Sequence, residues 1–423
     1  MGPRTGGSIV MLRAQSGTTG SDFSSMNVLI TDGENRSSLA VARSLGKLGC
    51  NVFVSATREK SISSCSKFCR KAFQTPDPMS APEDYRKRVL ELVRTESIDV
   101  LFPMTEQSIY CINSHRGEFS DEVTIACAPP DQMESISNKS KLFDLAESLQ
   151  VPVPETIRVA SADDFFNRKI RIERFPVVVK SAYSKIYFTN GIVSSSVMYA
   201  SDCSELGKLF ETKEILLHPS LIQEIIPGEG TGLFTLFDSD RHLALFSHRR
   251  LLEKPPSGGV SVLSESVKLD ENMVSYAEKL LSAVGWRGVA MVEFKRDKRD
   301  GIPKLMEING RFWGSLQLAV SCGIDFPALC LNYYLGNNPP ATVSDFSAGY
   351  RLKWFLGMLD HLLIRIKKRD AIVNMPPGTP PLSRVVADLF SVGDEMTFSD
   401  VFDQKDLRPF LHELKCYLLH FVH

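Results

Sequence analysis

In LMEINGRFWGSLQLAVSCGIDFP, residues 305–327, three polar side chains interrupt an apolar run at alternate positions: Glu307, Asn309 and Arg311. Alternation places them on one face of a strand. Just upstream, GVAMVEFKRD (288–297) and PKLMEINGRF (303–312) read as a hairpin around KRDG, which sets Glu293 on the strand beside Glu307. A carboxylate buried without a partner is costly, so two of them with an amide between call for a cation. Oxygen-only ligands suit magnesium, which usually also keeps phosphate oxygens and water. The plainer alternative makes these acids structural partners of Lys295, Lys304 or Arg311.

Other charged residues invite the same chemistry. Lys180 closes the apolar strand FPVVVKS (175–181); a strand-end lysine reaching solvent is the alternative. Lys139 opens the helix in NKSKLFDLAESLQVPVPET (138–156), where a cation opposes the helix dipole and speaks for an anionic partner. His248, Arg249 and Arg250 precede LLEKPPSGG, a basic cluster beside a Gly-containing loop that suits a carboxylate or phosphate. Alternation puts His248 and Arg250 on the same face.

These residues need a scaffold. Residues 1–25 are rich in Gly, Ser and Thr and are expected to form a disordered leader, with Met26 opening the fold. MNVLITDG, RSSLAVARSLGKLG and CNVFVSA (26–56) read as strand, helix, strand, hence a parallel sheet. A helix over 82–96 and the strand IDVLFPM (98–104) extend it into a doubly wound α/β domain. The turn TDGENRSS lacks the glycine spacing of a dinucleotide site. Strands then run through 175–250, a helix spans 271–284, and another helical stretch spans 314–336. In the tail, 350–370 reads as one amphipathic basic helix and NMPPGTPPLS (374–383) as a Pro-rich linker.

The 423 residues allow two or three domains. Lys plus Arg number 49 and Asp plus Glu 50, so nothing argues for nucleic acid as a partner. Nine cysteines lack paired spacing and fit a reducing, cytoplasmic setting. No apolar run reaches the roughly 18 residues a membrane span needs.

The order of features, from lysine-led helix through VPVP, strand-lysine, QEIIPGEG, Glu and Glu-x-Asn-x-Arg, resembles the ATP-grasp superfamily over about 138–335. The likeness is greatest to the predicted bacterial carboxylate–amine ligases, related to the large chain of carbamoyl phosphate synthetase. It implies an α+β ATP-grasp architecture: the N-terminal doubly wound parallel α/β domain (26–130), a lid subdomain with its leading helix (131–226), a larger antiparallel-sheet subdomain (227–340) and a helical C-terminal extension (341–423). It implies ATP and Mg2+, two ions, with Mn2+ as a substitute. Lys139 and Lys180 match the phosphate-binding lysines, although Asn138 stands where the family has Asp. Gln223, Glu224, Ile225 and Ile226 match the adenine hinge, and Glu229 is the ribose candidate. Glu293, Glu307 and Asn309 match the metal ligands. Arg311 matches the arginine facing the transferring phosphoryl group, with Lys180 and Arg250 expected beside it. The implied reaction is an ADP-forming ligation of small carboxylate and amine substrates through an acyl phosphate. One departure is the flap 181–191, SAYSKIYFTNG, with only Gly191 where the family is glycine-rich. It motivates the rival expectation, an ATP-binding regulatory or scaffold protein with little turnover. For 350–370, packing on the core competes with contact to an anionic membrane surface.

Overall fold

The computed structural model describes residues 23–183, 185–188, 191–194, 197–367, 379–391 and 395–422. Most of the expected leader thus lies outside the described residues. Phe23, before Met26, is only 6% exposed and packs into a core shared by residues such as Val28 and Phe234.

The first domain is a five-stranded sheet in the order Cys69–Gln74, Asn51–Ala56, Asn27–Ile30, Val100–Phe102, Thr124–Ile125. All four pairings are parallel. Its three central strands are buried and mainly apolar after their first residues, NVLI, NVFVSA and VLF, as suits strands covered on both faces. The helix Arg36–Lys47 crosses over between the first two strands.

A four-stranded antiparallel sheet follows: Met198–Ala200, Val177–Ser181, Ser220–Glu224, Thr156–Val159. Its core is formed by Val177, Val179, Phe165 and Phe210, the two rings stacked 4.2 Å apart. Within the flap, Lys185–Phe188 and Gly191–Ser194 pair as a separate hairpin.

The large sheet has seven strands: Pro303–Asn309, Arg287–Asp297, Gly228–Asp238, Arg241–Lys254, Val260–Ser266, Arg351–Lys353 and Thr397–Ser399. Six are joined antiparallel and the last pair is parallel. The expected helical stretch 314–336 is two helices, Leu316–Ser321 and Phe326–Tyr334, broken at Gly323, whose φ of +107° favours glycine.

The tail differs from a purely helical extension. Residues 351–353 and 397–399 are strands of the large sheet, and the helix expected over 350–370 is Phe355–Lys367. Its apolar face packs through Met358, Leu359 and Leu362 against Leu252, Val262, Leu263, Val385 and Leu389. Arg365, one of the basic residues of this helix, is buried and donates to the Pro380 carbonyl at 2.8 Å. Lys368, Arg369 and residues 374–378 of the linker lie outside the described residues. Further along, Asp406 reaches back to the first domain and accepts from Arg43 Nε at 3.0 Å, both side chains buried.

Candidate active site

The hairpin aligns Glu293 directly opposite Glu307, with Asn309 opposite Met291. Asn309 Nδ2 donates to both carboxylates, at 3.1 Å to Glu307 and 3.3 Å to Glu293. After Asn309 the strand ends. A Cβ at Gly310 would meet the Trp286 ring at 2.3 Å, so the chain passes this point only as glycine. Arg311 therefore lies past the strand, donating to the Phe312 carbonyl at 3.0 Å. It still lines the same cleft as Lys139, Glu307 and Asn309, with Glu106 of the first domain.

Cations surround the acid pair. Lys139 Nζ lies 3.7 Å from Glu307 Oε2. Arg250 pairs with Glu293 and, at 3.0 Å, with Glu253. Lys180 approaches from the lid sheet, opposite Leu221. Two contacts bring the lysines together: Lys139 N–H donates to the Ala182 carbonyl at 2.8 Å, and Asn138 Nδ2 donates to Tyr183 Oη at 2.6 Å. Asn138 also caps its helix by accepting from Lys141 N–H at 3.1 Å.

The electrostatics are asymmetric. Burial would push Glu307 up, but Lys139, the Asn309 amide, Lys180 and Arg250 outweigh it and hold its carboxyl well below the usual range. Glu293 is raised, by burial and by the charge of Glu307 against the pull of Arg250. Burial lowers the Lys180 ammonium to about 8; Glu307 opposes this, while Lys139 and Lys295 add to it. Burial also lowers Lys295. The Glu307 side chain stays 34% exposed, so the pair opens to the cleft.

All donors between these strands are oxygens once a half-turn of the Asn309 amide exchanges Nδ2 for Oδ1. Among the described residues no group of three or more His, Cys, Asp or Glu side chains gathers. The third donor is therefore an amide, leaving positions for phosphate and water. That set fits Mg2+.

The hinge residues stand differently. Ser220–Glu224 of the lid sheet runs through 225–227 into Gly228–Asp238 of the large sheet. Ile226 is buried and Ile225 half-buried at this crossing. Gln223 is buried, donating to Thr156 Oγ1 at 2.8 Å. The Glu224 carboxylate is tied into the hinge by Arg299 at 2.7 Å, Lys304 at 3.4 Å and the Glu155 N–H at 3.1 Å. Glu229 is not brought to the cluster. Register places Gly230 and Gly232 opposite Lys295 and Glu293, so Glu229 belongs to the other face, where it pairs with Arg249 at 3.3 Å. His248 does share the face of Arg250, but it is buried: its Nε2 meets Ser315 Oγ at 2.7 Å, its ring lies 4.5 Å from Phe234, and burial lowers it to about 3.

Sequence reading missed Glu253 as the second partner of Arg250, Tyr183 at the lysine junction and Glu106 on the cleft wall. Lys295 carried a signal, since it lies two residues from Glu293 on the same face.

Residues 219–357 match the family model described as ATP-grasp in the biosynthetic pathway with Ter operon. The chain is similar to a D-aspartate ligase of Enterococcus faecium, 23% identical over 213 residues, 47% of this chain and 50% of that protein. It thus spans about half the length of that curated relative. Among solved structures, the L-amino acid ligase from Bacillus licheniformis superposes with a TM-score of 0.54 at 19% identity, over 73% of this chain and 74% of that one. The N5-carboxyaminoimidazole synthetase from Staphylococcus aureus complexed with ADP gives 0.60 at 14% identity, over 82% and 86%.

Proposed function

We propose that this chain, whose fold is that of the ATP-grasp proteins, joins a carboxylate to an amine through an acyl phosphate, releasing ADP and phosphate. The observation that carries the reading is the cross-strand pair Glu293–Glu307, bridged by Asn309 and ringed by Lys139, Lys180, Arg250 and Lys295. A polyanion is what such a ring of partly desolvated cations suits.

Glu293, Glu307 and Asn309 are the residues that would hold Mg2+ or Mn2+, which when bound neutralises phosphate oxygens and favours ATP in the cleft. Lys139 and Lys180 converge from the helix start and the lid sheet, and their charges would face the phosphates. Arg250 and Arg311 would stabilise the charge that spreads over the phosphoryl group in transfer. In the first step a substrate carboxylate oxygen attacks the γ-phosphorus and the bond to the ADP oxygen breaks. In the second, the amine nitrogen attacks the acyl carbon, phosphate leaves with the bonding electrons, and the nitrogen loses its proton. No side-chain nucleophile is required.

The sheet-crossing residues Gln223, Glu224, Ile225 and Ile226 are assigned to the adenine edge through their backbone, since the Glu224 carboxylate is engaged within the hinge. Small carboxylates and amines are the partners of this reaction. We place it in the cytoplasm, where ATP is made and thiols stay reduced; the nine cysteines are free. Among the described residues no helix is long and apolar enough to cross a membrane.

The test is phosphate release from ATP with a panel of carboxylates crossed with amines. Release that requires one member of each class supports the ligase. Tight nucleotide binding with no release in any pairing would favour a regulatory ATP-binding protein, the reading suggested by a flap with Gly191 as its one glycine over 181–191.

A further inference from the structure

Residues three apart in a regular strand point to opposite faces. Arg250 and Glu253 nevertheless meet: Arg250 Nη1 donates to Glu253 Oε1 at 3.0 Å. The strand Arg241–Lys254 loses register with Val260–Ser266 between Arg250 and Leu252, and again between Leu252 and Glu253. A bulge of this kind re-aims a side chain. Here it turns Glu253 back to the face that carries Arg250 and Glu293. Glu253 also lies close enough to Lys295 to favour that lysine's charged form.

The bulge is held from outside the sheet. His361, in the helix Phe355–Lys367 and 1% exposed, bonds through Nδ1 to the Glu253 carbonyl at 2.6 Å. A carbonyl only accepts, so Nδ1 carries the hydrogen. The next residue, Lys254, pairs with Asp360, and Asp360 accepts from Tyr417 Oη at 2.5 Å. The helix Phe355–Lys367, itself braced at Asp360 by Tyr417 of the helix Arg408–Val422, thus grips the strand at Glu253 and Lys254.

We propose that Glu253 is a positioning residue that keeps Arg250 over the cleft when the carboxylate of Glu293 turns to a bound cation, and that the C-terminal tail sets Glu253 through His361. The proposal rests on the ligase reading above. Arg250 is shared between two carboxylates, one of them assigned to the metal. A guanidinium losing that partner stays in place only if the other carboxylate holds it, and a charge-assisted bond is strong enough to do so. The side chain that aligns the phosphate-facing arginine would then be set by the tail, outside the segment that matches the family.

The experiment measures affinity for the magnesium complex of a non-hydrolysable ATP analogue, which keeps the γ-phosphoryl group, by calorimetric titration for the wild type, Arg250→Ala, Glu253→Gln and the double variant. Each single change should weaken binding about tenfold, and the double variant should bind no more weakly than Arg250→Ala alone, because both remove the same contact. His361→Leu, which fills the space without a donor, should weaken binding by about threefold or more, while His361→Asn, whose amide N–H replaces the Nδ1–H, should stay within about twofold of wild type. Thermal unfolding of each variant separates lost binding from lost fold. Additive losses in the double variant, or equal behaviour of the Leu and Asn variants, would overturn the proposal while leaving the ligase reading intact. A wild type that does not bind the magnesium complex of the ATP analogue would overturn that reading, and the proposal with it.

Discussion

Lys180→Met separates what this lysine does for binding from what it costs the fold. Burial at the end of Val177–Ser181, with repulsion from Lys139 and Lys295, lowers the ammonium from 10.5 to about 8, although Glu307 and Glu293 pull the other way. The folded chain therefore binds this proton more weakly than the unfolded chain does. The charged form costs stability below about pH 8, and the cost fades as pH rises toward about 10.5. At about 1.4 kcal/mol per pH unit, the drop from 10.5 to about 8 corresponds to roughly 3 kcal/mol, an upper figure because the side chain is only partly buried. Lys180→Met should raise stability at neutral pH by about 1–3 kcal/mol, and its advantage over wild type should shrink near about pH 10. MgATP affinity should move the opposite way, falling by tenfold or more on the order of one lost charge-assisted contact. In the wild type the protonated fraction falls roughly tenfold between about pH 7 and about pH 9, so MgATP affinity should fall by up to about tenfold across that window. Lys180→Arg should flatten this dependence. Urea unfolding at both pH values and calorimetric titration supply the readouts. A destabilised Lys180→Met at neutral pH, or an affinity flat across the window in the wild type, would refute the reasoning.

Three further changes probe the site and its frame. Glu307→Gln removes one charge from the acid pair while keeping its shape; phosphate release should fall about a hundredfold or more, as one preorganised electrostatic contact is worth roughly 3 kcal/mol, while the chain stays folded with a lowered melting temperature because Lys139, Lys180 and Arg250 lose that charge. Unfolding instead would return Glu307 to a structural ion-pair role. Glu229→Ala should leave the KM for ATP within about twofold, because it removes only a surface pair with Arg249 on the far face; a tenfold rise would restore the ribose assignment. Asp406→Ala leaves the Arg43 guanidinium buried without its carboxylate and should cost about 3–5 kcal/mol in urea unfolding, and a loss under about 1 kcal/mol would show that solvent reaches Arg43.

What was legible in the sequence was what depends on short, regular spacing. Glu307 and Asn309 alternate in an unbroken strand, and the turn after Asp297 fixes Glu293 opposite Glu307. Arg311 continued the same alternation on paper, yet the close approach of Gly310 to Trp286 ends the strand first. The face of Glu229 could not be read by counting onward from the hinge, which ignores the break at 225–227; the face of each later residue is decided by pairing with Arg287–Asp297. Glu253 was hidden for a related reason, as its bulge inverts the alternation that sequence spacing assumes. The strand Arg351–Lys353 is too short to show a period, and its partners are Val260–Ser266 and Thr397–Ser399. Such pairing is a property of the whole chain rather than of a local segment. Phe23 shows the same limit: the composition of its neighbours read as leader, while one aromatic ring found a place in the core.

The pairing of Arg43 with Asp406 has a consequence for how the protein is made. The two residues are 363 positions apart, and Ser66, in the same domain as Arg43, bonds to the same carboxylate. A ribosome releases the first domain's strands and helix long before Asp406 exists. Until then Arg43 has no carboxylate to enter the interior with, and that helix face must remain open to water. Vectorial synthesis would therefore yield a first domain that is assembled but unsealed for most of translation. Chains truncated by premature termination would be left in that state, exposed to proteases and chaperones, whereas only those that have been read through the tail can close.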